Sequence, residues 1–196
     1  MEKILTLIRK ETAPLHKETE TLLFPGGTEM DREHYIFFLR CNAGFHQALE
    51  PKVSQTGFSH KEEWKSFDRK KLSKLQYDLK NLGEYTIEDT IGDYFHNWSE
   101  SQLLGAAYVS EGSSLGGQVM LKYLRKKSFF EEESHGTFLS GYGRSTGMAW
   151  ENFLHLLDKE GQKDPNAVIE GAVRAFEAFK FLTIHSTNKE NSELKT

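Results

Sequence analysis

Residues 99–127 read SESQLLGAAYVSEGSSLGGQVMLKYLRKK, and the rest of the chain is organised around this stretch. Ser99 with Gln102 three positions on is a capping-box start, in which each side chain accepts from the other residue's backbone N–H. The closing run Arg125-Lys126-Lys127 suits the negative end of a helix dipole. Between them stand Gly105, Gly112, Gly116 and Gly117, each costing about 1 kcal/mol relative to alanine inside a helix. At about 100° per residue, the first three fall within roughly 40° of one another on a single face. Such a bare stripe lets a second helix pack closely, or lets something flat approach the backbone. Ser113 and Ser114, beside the stripe, carry hydroxyls that compete for helix carbonyls and favour bending.

The 196 residues suit one domain with a sizeable core, and 37% hydrophobic with 28% charged residues is a globular balance rather than a disordered one. A net charge of -4 gives no support to nucleic-acid binding. The single cysteine, Cys41, excludes an internal disulfide and agrees with a reducing compartment. Glu2, Lys3, Arg9, Lys10 and Glu11 break any apolar leader, and no run approaches the ~20 apolar residues of a membrane span. The expected location is cytoplasmic.

Taken in order, residues 3–23 read as a helix with Ile4, Ile8, Leu15 and Leu22 on one stripe and Leu5 and Thr12 at its edge. Pro14 either opens a second segment capped by Thr12 or marks a kink. His16 lies at the border of the stripe, with Arg9 two turns earlier on a similar face; the residues alone leave His16 open between a packed or capping role and a ligand. Phe24-Pro25-Gly26-Gly27 is a turn. Asp31–Val53 forms a second helix, Glu63–Leu82 a third closed by Gly83, and Thr86–Asn97 a short one with an aromatic end. Glu131–Gly136 reads as a charged loop. Its Glu132 and His135 have metal-site spacing but no second copy. Further helices cover Thr146–Lys159 and Pro165–Ile184, the latter facing Val168, Ala172, Ala175, Phe176 and Phe179 inward. The polar residues Ser186–Thr196 read as a frayed tail, which sets the domain at 1–185 and the tail at 186–196. No strand alternation occurs, so the fold class is an all-α, single-domain bundle of six to eight helices. Phosphate-binding loops, C-x-x-C pairs and nucleophile elbows are missing, which removes nucleotide-hydrolysing, hydride-transfer and serine-hydrolase readings.

Four segments resemble the bacterial haem oxygenases. Arg9-x-x-Thr12-x-Pro14-Leu15-His16-x-x-x-Glu20 is similar to the family's proximal helix. Arg69-Lys70 with Leu75-x-x-Asp78-Leu79-x-x-Leu82-Gly83 resembles a segment of the bacterial branch. Ala107-Tyr108-Val109-x-Glu111-Gly112-Ser113-x-Leu115-Gly116-Gly117-Gln118 is similar to the distal helix, and Ala175-Phe176 to the C-terminal helix, whose aromatic packs near the macrocycle.

The resemblance implies a bundle of the haem oxygenase type that holds haem, as substrate and cofactor together, between the two helices. His16 becomes the iron ligand and Glu20 the group orienting its ring. Gly112 and Gly116 become the distal face where any side chain would block haem and oxygen. Arg9 matches a propionate-anchoring position, with Lys17, Tyr142 and Arg144 as further candidates. Some relatives carry an aspartate where this chain has Ser113, leaving backbone carbonyls and water as proton carriers. The implied activity is cleavage of haem to biliverdin, ferrous iron and carbon monoxide, using O2 and electrons from a ferredoxin, flavodoxin or reductase. Lys122, Arg125, Lys126 and Lys127 could receive an acidic donor or form an ordinary solvated helix end. Alternatives are a haem carrier that does not turn over, a thiaminase-like enzyme requiring a cysteine nucleophile, and a di-iron enzyme requiring paired Glu-x-x-His motifs.

Overall fold

The computed structural model describes residues 3–24, 30–87 and 90–193, with side chains to 185. Eight α-helices occur among them and no strand. They are α1 (Ile4–Leu23), α2 (Arg32–Val53), α3 (Glu62–Lys65), α4 (Leu72–Asn81), α5 (Glu100–Leu124), α6 (Glu132–His135), α7 (Thr146–Glu160) and α8 (Pro165–Glu193). Both α1 and α5 pack along α8, with α2 and α4 closing one side and α7 another. The core is built from Tyr35, Ile36, Leu39 and Phe45 of α2, Leu75 and Leu79 of α4, Leu104 of α5 and Phe153 of α7.

α1 runs unbroken through Pro14, which removes one backbone donor without ending the helix. Its buried face is Ile4, Ile8, Thr12, Thr19 and Leu23; Leu15 is half-buried and Leu22 exposed, so the stripe is rotated from the expected one. Thr12 fits in the core because its hydroxyl donates to the Ile8 carbonyl at 2.8 Å. The expected turn at residues 25–27 lies outside the described residues. α5 starts as its sequence demands, Ser99 and Gln102 closing a reciprocal capping box.

Four expected elements differ. The helix expected over Glu63–Leu82 is two, α3 and α4, separated by Ser66–Lys71. The break is made by side chains that satisfy both helix ends. Arg69 donates to the carbonyls of Trp64 and Glu63 at 3.0 and 3.1 Å. One Glu50 oxygen accepts from the N–H groups of Lys71 and Leu72 at 2.7 and 2.8 Å. α4 then ends as expected at Gly83, whose φ of 85° lets Glu84 N–H reach back to the Leu79 carbonyl at 2.9 Å. The expected helix at Thr86–Asn97 is a run of turns, with bonds closing three residues apart at Tyr94→Ile91 and His96→Asp93; residues 88 and 89 lie outside the described set. There Tyr94, Phe95 and Trp98 form one aromatic cluster. The charged loop at Glu131–Gly136 contains the single-turn helix α6, where Glu132 pairs with Arg125. Finally, α8 continues past Ile184 to Glu193, so the expected frayed tail is helical as far as the backbone is described, and 194–196 lie outside.

Candidate functional site

The glycine stripe of α5 meets two different surroundings. At its first turns α5 is buried on all sides, Leu103 to Ala107 without exception. A methyl on Gly105 would be driven into the Val168 carbonyl of α8 and lie 2.6 Å from the Ala172 nitrogen. Gly171 of α8 is its counterpart, a methyl there falling 2.6 Å from the Gln102 Cα. The crossing is thus glycine against glycine, the close-packing reading of the stripe. Farther along, α5 opens. A methyl on Gly112 would just touch the Trp150 ring at 4.0 Å, and one on Gly116 would meet nothing within 4 Å. Leu115, Val119 and Tyr123, which flank this face, are 39%, 54% and 42% exposed. An apolar flank left open beside bare backbone is what a flat apolar ligand would need. Gly117 belongs to neither class, packing against the Leu139 backbone.

On α1, His16, Glu20 and Arg9 share the flank of the buried stripe. The His16 side chain is 58% exposed, with Nδ1 3.6 Å from a Glu20 carboxylate oxygen and its ring edge-on to Phe176 of α8 at 5.6 Å. Nδ1 therefore lies on the side of a carboxylate, the kind of partner that orients a metal-ligating imidazole. Phe176 is itself buried and fixes the floor on which the ring rests. Arg9 reaches across to α5, where its guanidinium beside the Tyr108 hydroxyl partly offsets the upward push of burial on that phenol. His16, Glu20 and Phe176 are in contact, and Arg9 joins α1 to α5.

The remaining expected residues divide. Ser113 is exposed but turns its hydroxyl onto the Ser110 carbonyl at 2.7 Å. Lys17 and Arg144 are exposed. Tyr142 is not a free surface anchor, because its hydroxyl donates to Glu111 at 2.9 Å inside the protein. Among the described residues no group of three or more His, Cys, Asp or Glu side chains could hold a metal ion, and Cys41 is buried within α2. No helix among the described residues is long and apolar enough to cross a membrane.

A charged cluster behind α5 went unassigned in the sequence. Glu111, 2% exposed, pairs with Arg69 and lies 3.4 Å from the Lys71 ammonium. Lys71 also donates to the Ser110 carbonyl, and Arg69 to the Ala149 carbonyl at 3.2 Å. Burial holds the Lys71 ammonium below its ordinary pKa, against the pull of Glu111. His46, fully enclosed, is likewise pushed down by burial, with Glu50 at 3.4 Å opposing. Burial alone would raise Glu50, but the nearby His46 imidazole and the two backbone N–H groups that donate to it bring it below the usual carboxylate value. The available signal was position: Glu111 falls beside the core-facing row Leu103, Ala107, Ser110 and Ser114, where a carboxylate must find buried cations.

The residues present fit a haem. An outward imidazole braced by a carboxylate can take the iron, and bare backbone with an open apolar flank can take a flat macrocycle.

A family model described as heme oxygenase matches residues 2–183. Among solved structures, the chain is similar to the NO- and CO-bound heme oxygenase of Neisseria meningitidis, with 20% identity over 95% of this chain and 92% of that one and a TM-score of 0.77. It is similar to heme oxygenase 2 of Chlamydomonas reinhardtii, solved without heme, at 16% identity, 93% and 96% coverage and a TM-score of 0.73. The heme oxygenase of Leptospira interrogans follows at 15% identity, 93% and 98% coverage and a TM-score of 0.69. No curated protein matches the sequence significantly. The expected all-α fold of the haem oxygenase type is the fold observed.

Proposed function

The chain belongs to the haem oxygenase family, and from that membership we propose that it cleaves haem to biliverdin, ferrous iron and carbon monoxide. O2 and electrons from a separate ferredoxin, flavodoxin or reductase complete the reaction, which takes place in the cytoplasm. Haem, when bound, supplies both the iron at which O2 is reduced and the meso carbon that is oxidised.

The protein's part is positioning. His16 would offer Nε2 to the iron, with the Glu20 carboxylate 3.6 Å from Nδ1 placed to orient the ring. Phe176, edge-on to that ring, limits its rotation. Gly112 and Gly116 leave the α5 backbone bare, so a flat macrocycle could lie against it where any side chain would stand in the way. Leu115 and Val119, exposed beside that backbone, would cover apolar porphyrin surface and keep water from it. The Ser113 hydroxyl proton is committed to the Ser110 carbonyl, which leaves its oxygen as an acceptor for an ordered water that can carry protons inward. Arg9, beside the Tyr108 hydroxyl of α5, would be the cation offered to a propionate.

The observation that carries this reading is the open Gly116 face together with the outward, carboxylate-braced His16. Hemin added to the protein, followed by a reductant in air, should convert the Soret band to a bilin spectrum with release of carbon monoxide. Binding without bilin would leave a haem carrier in place of an enzyme.

A further inference from the structure

We propose that Lys71 and Arg69 are positioning residues that fix where the Ser110–Gly116 stretch sits over haem, and so select the porphyrin edge that is opened; this rests on the haem-cleaving reading. Neither residue lies against the bare Gly112–Gly116 face. Lys71 is 4% and Arg69 6% exposed, on the far side of α5. The Lys71 ammonium donates to the Ser110 carbonyl and the Arg69 guanidinium to the Glu111 carboxylate, the two residues immediately before Gly112. The Ser110 carbonyl is also the acceptor for Ser113, so Lys71 and the slot-side hydroxyl share one oxygen. A shift of the ammonium re-aims that hydroxyl and slides the bare backbone beyond it.

Both cations are themselves held at fixed points. The Lys71 backbone is tied to Glu50 of α2, and the Arg69 guanidinium lies 5.0 Å from the Trp64 ring centre while bonding carbonyls of α3 and α7. Tyr142 donates to Glu111 from a third direction. Four segments therefore converge on two residues of the distal helix. Apolar packing would hold the helix with less desolvation cost than buried charges. Directional bonds fix it to a fraction of an ångström, the precision that choosing between neighbouring meso carbons requires.

The test compares native protein with Lys71→Met and Lys71→Arg, each loaded with hemin. Two quantities are measured: the ratio of bilin isomers formed under reductant in air, and the infrared C–O stretch of the reduced complex under carbon monoxide. Lys71→Met should change the isomer ratio by about tenfold, a ~1.4 kcal/mol change between competing barriers, and shift or broaden the C–O band. Haem affinity should stay within a few-fold of native, since His16 is untouched. Lys71→Arg, which keeps a charged donor, should restore both readouts toward native. A native isomer ratio and C–O band in Lys71→Met overturn the proposal. Should Lys71→Met not fold, Tyr142→Phe removes one hydroxyl from Glu111, and the same outcomes decide at smaller amplitude. If native protein binds haem but forms no bilin, the cleavage reading fails and the C–O comparison decides the positioning role alone. Native protein that binds no haem overturns both.

Discussion

Gly105 and Gly116 stand about three turns apart on the same side of α5 and meet opposite surroundings. One is pressed against the backbone of α8, and the other faces space that a methyl would not fill. One residue type in one row thus serves packing at one end of the helix and leaves the backbone uncovered at the other.

The same substitution at the two sites should therefore have opposite signs. Gly105→Ala drives a methyl into the Val168 carbonyl and should cost several kcal/mol or prevent folding. Gly116→Ala should stabilise the haem-free protein by up to ~1 kcal/mol, because alanine is the better helix former. It should nevertheless weaken haem binding and slow cleavage. Urea unfolding of the haem-free variants and hemin titrations check both halves.

His16→Ala should abolish tight haem binding while leaving the fold within ~0.5 kcal/mol of native, since the side chain is mostly exposed. Glu20→Gln keeps the shape but loses the charge beside Nδ1 and should weaken haem affinity or turnover by roughly 10-fold. Soret titrations and circular dichroism separate ligand loss from unfolding.

Removing either member of the Arg69–Glu111 pair should be far more damaging than any surface change. Glu111→Ala leaves two buried cations uncompensated and should cost roughly 3–5 kcal/mol. Arg125→Ala breaks the exposed pair with Glu132 and should cost under about 1 kcal/mol. Thermal unfolding of the two variants side by side tests the contrast.

His46 makes stability depend on pH. Its imidazole is held by burial below the ordinary histidine value of about 6.5, so around and below that pH the unfolded chain binds a proton that the folded chain does not. Stability should therefore fall as pH drops from about 7 to about 5.5, by at most ~1.4 kcal/mol per pH unit from this group. His46→Gln should flatten that slope. Urea midpoints across the range provide the measurement.

Most of the helical framework was legible because periodicity and capping residues are local: Ser99 with Gln102, Asp31 before α2 and Gly83 after α4 are where the sequence puts them. The break at Ser66–Lys71 was not, since its helix ends are satisfied by Arg69 turning back and by Glu50 from another helix. Nor does periodicity separate the two ends of the glycine row, because only the course of α8 determines which glycines it covers. Tyr142 reads as a candidate propionate anchor, and its enclosure by Glu111 depends on a contact 31 residues distant. Residues that act through local spacing were readable; those that act through a distant partner were not.

The central claim is that haem lies between the His16 imidazole and the bare face at Gly116, held so that it is cleaved. The most direct measurement is an absorption series on purified protein with one equivalent of hemin, recorded before and after reduction in air. The account predicts a Soret band that His16→Ala loses, followed on reduction by its replacement with bilin absorbance. A Soret band that persists unchanged under reductant and air, or that forms equally well in His16→Ala, would contradict it.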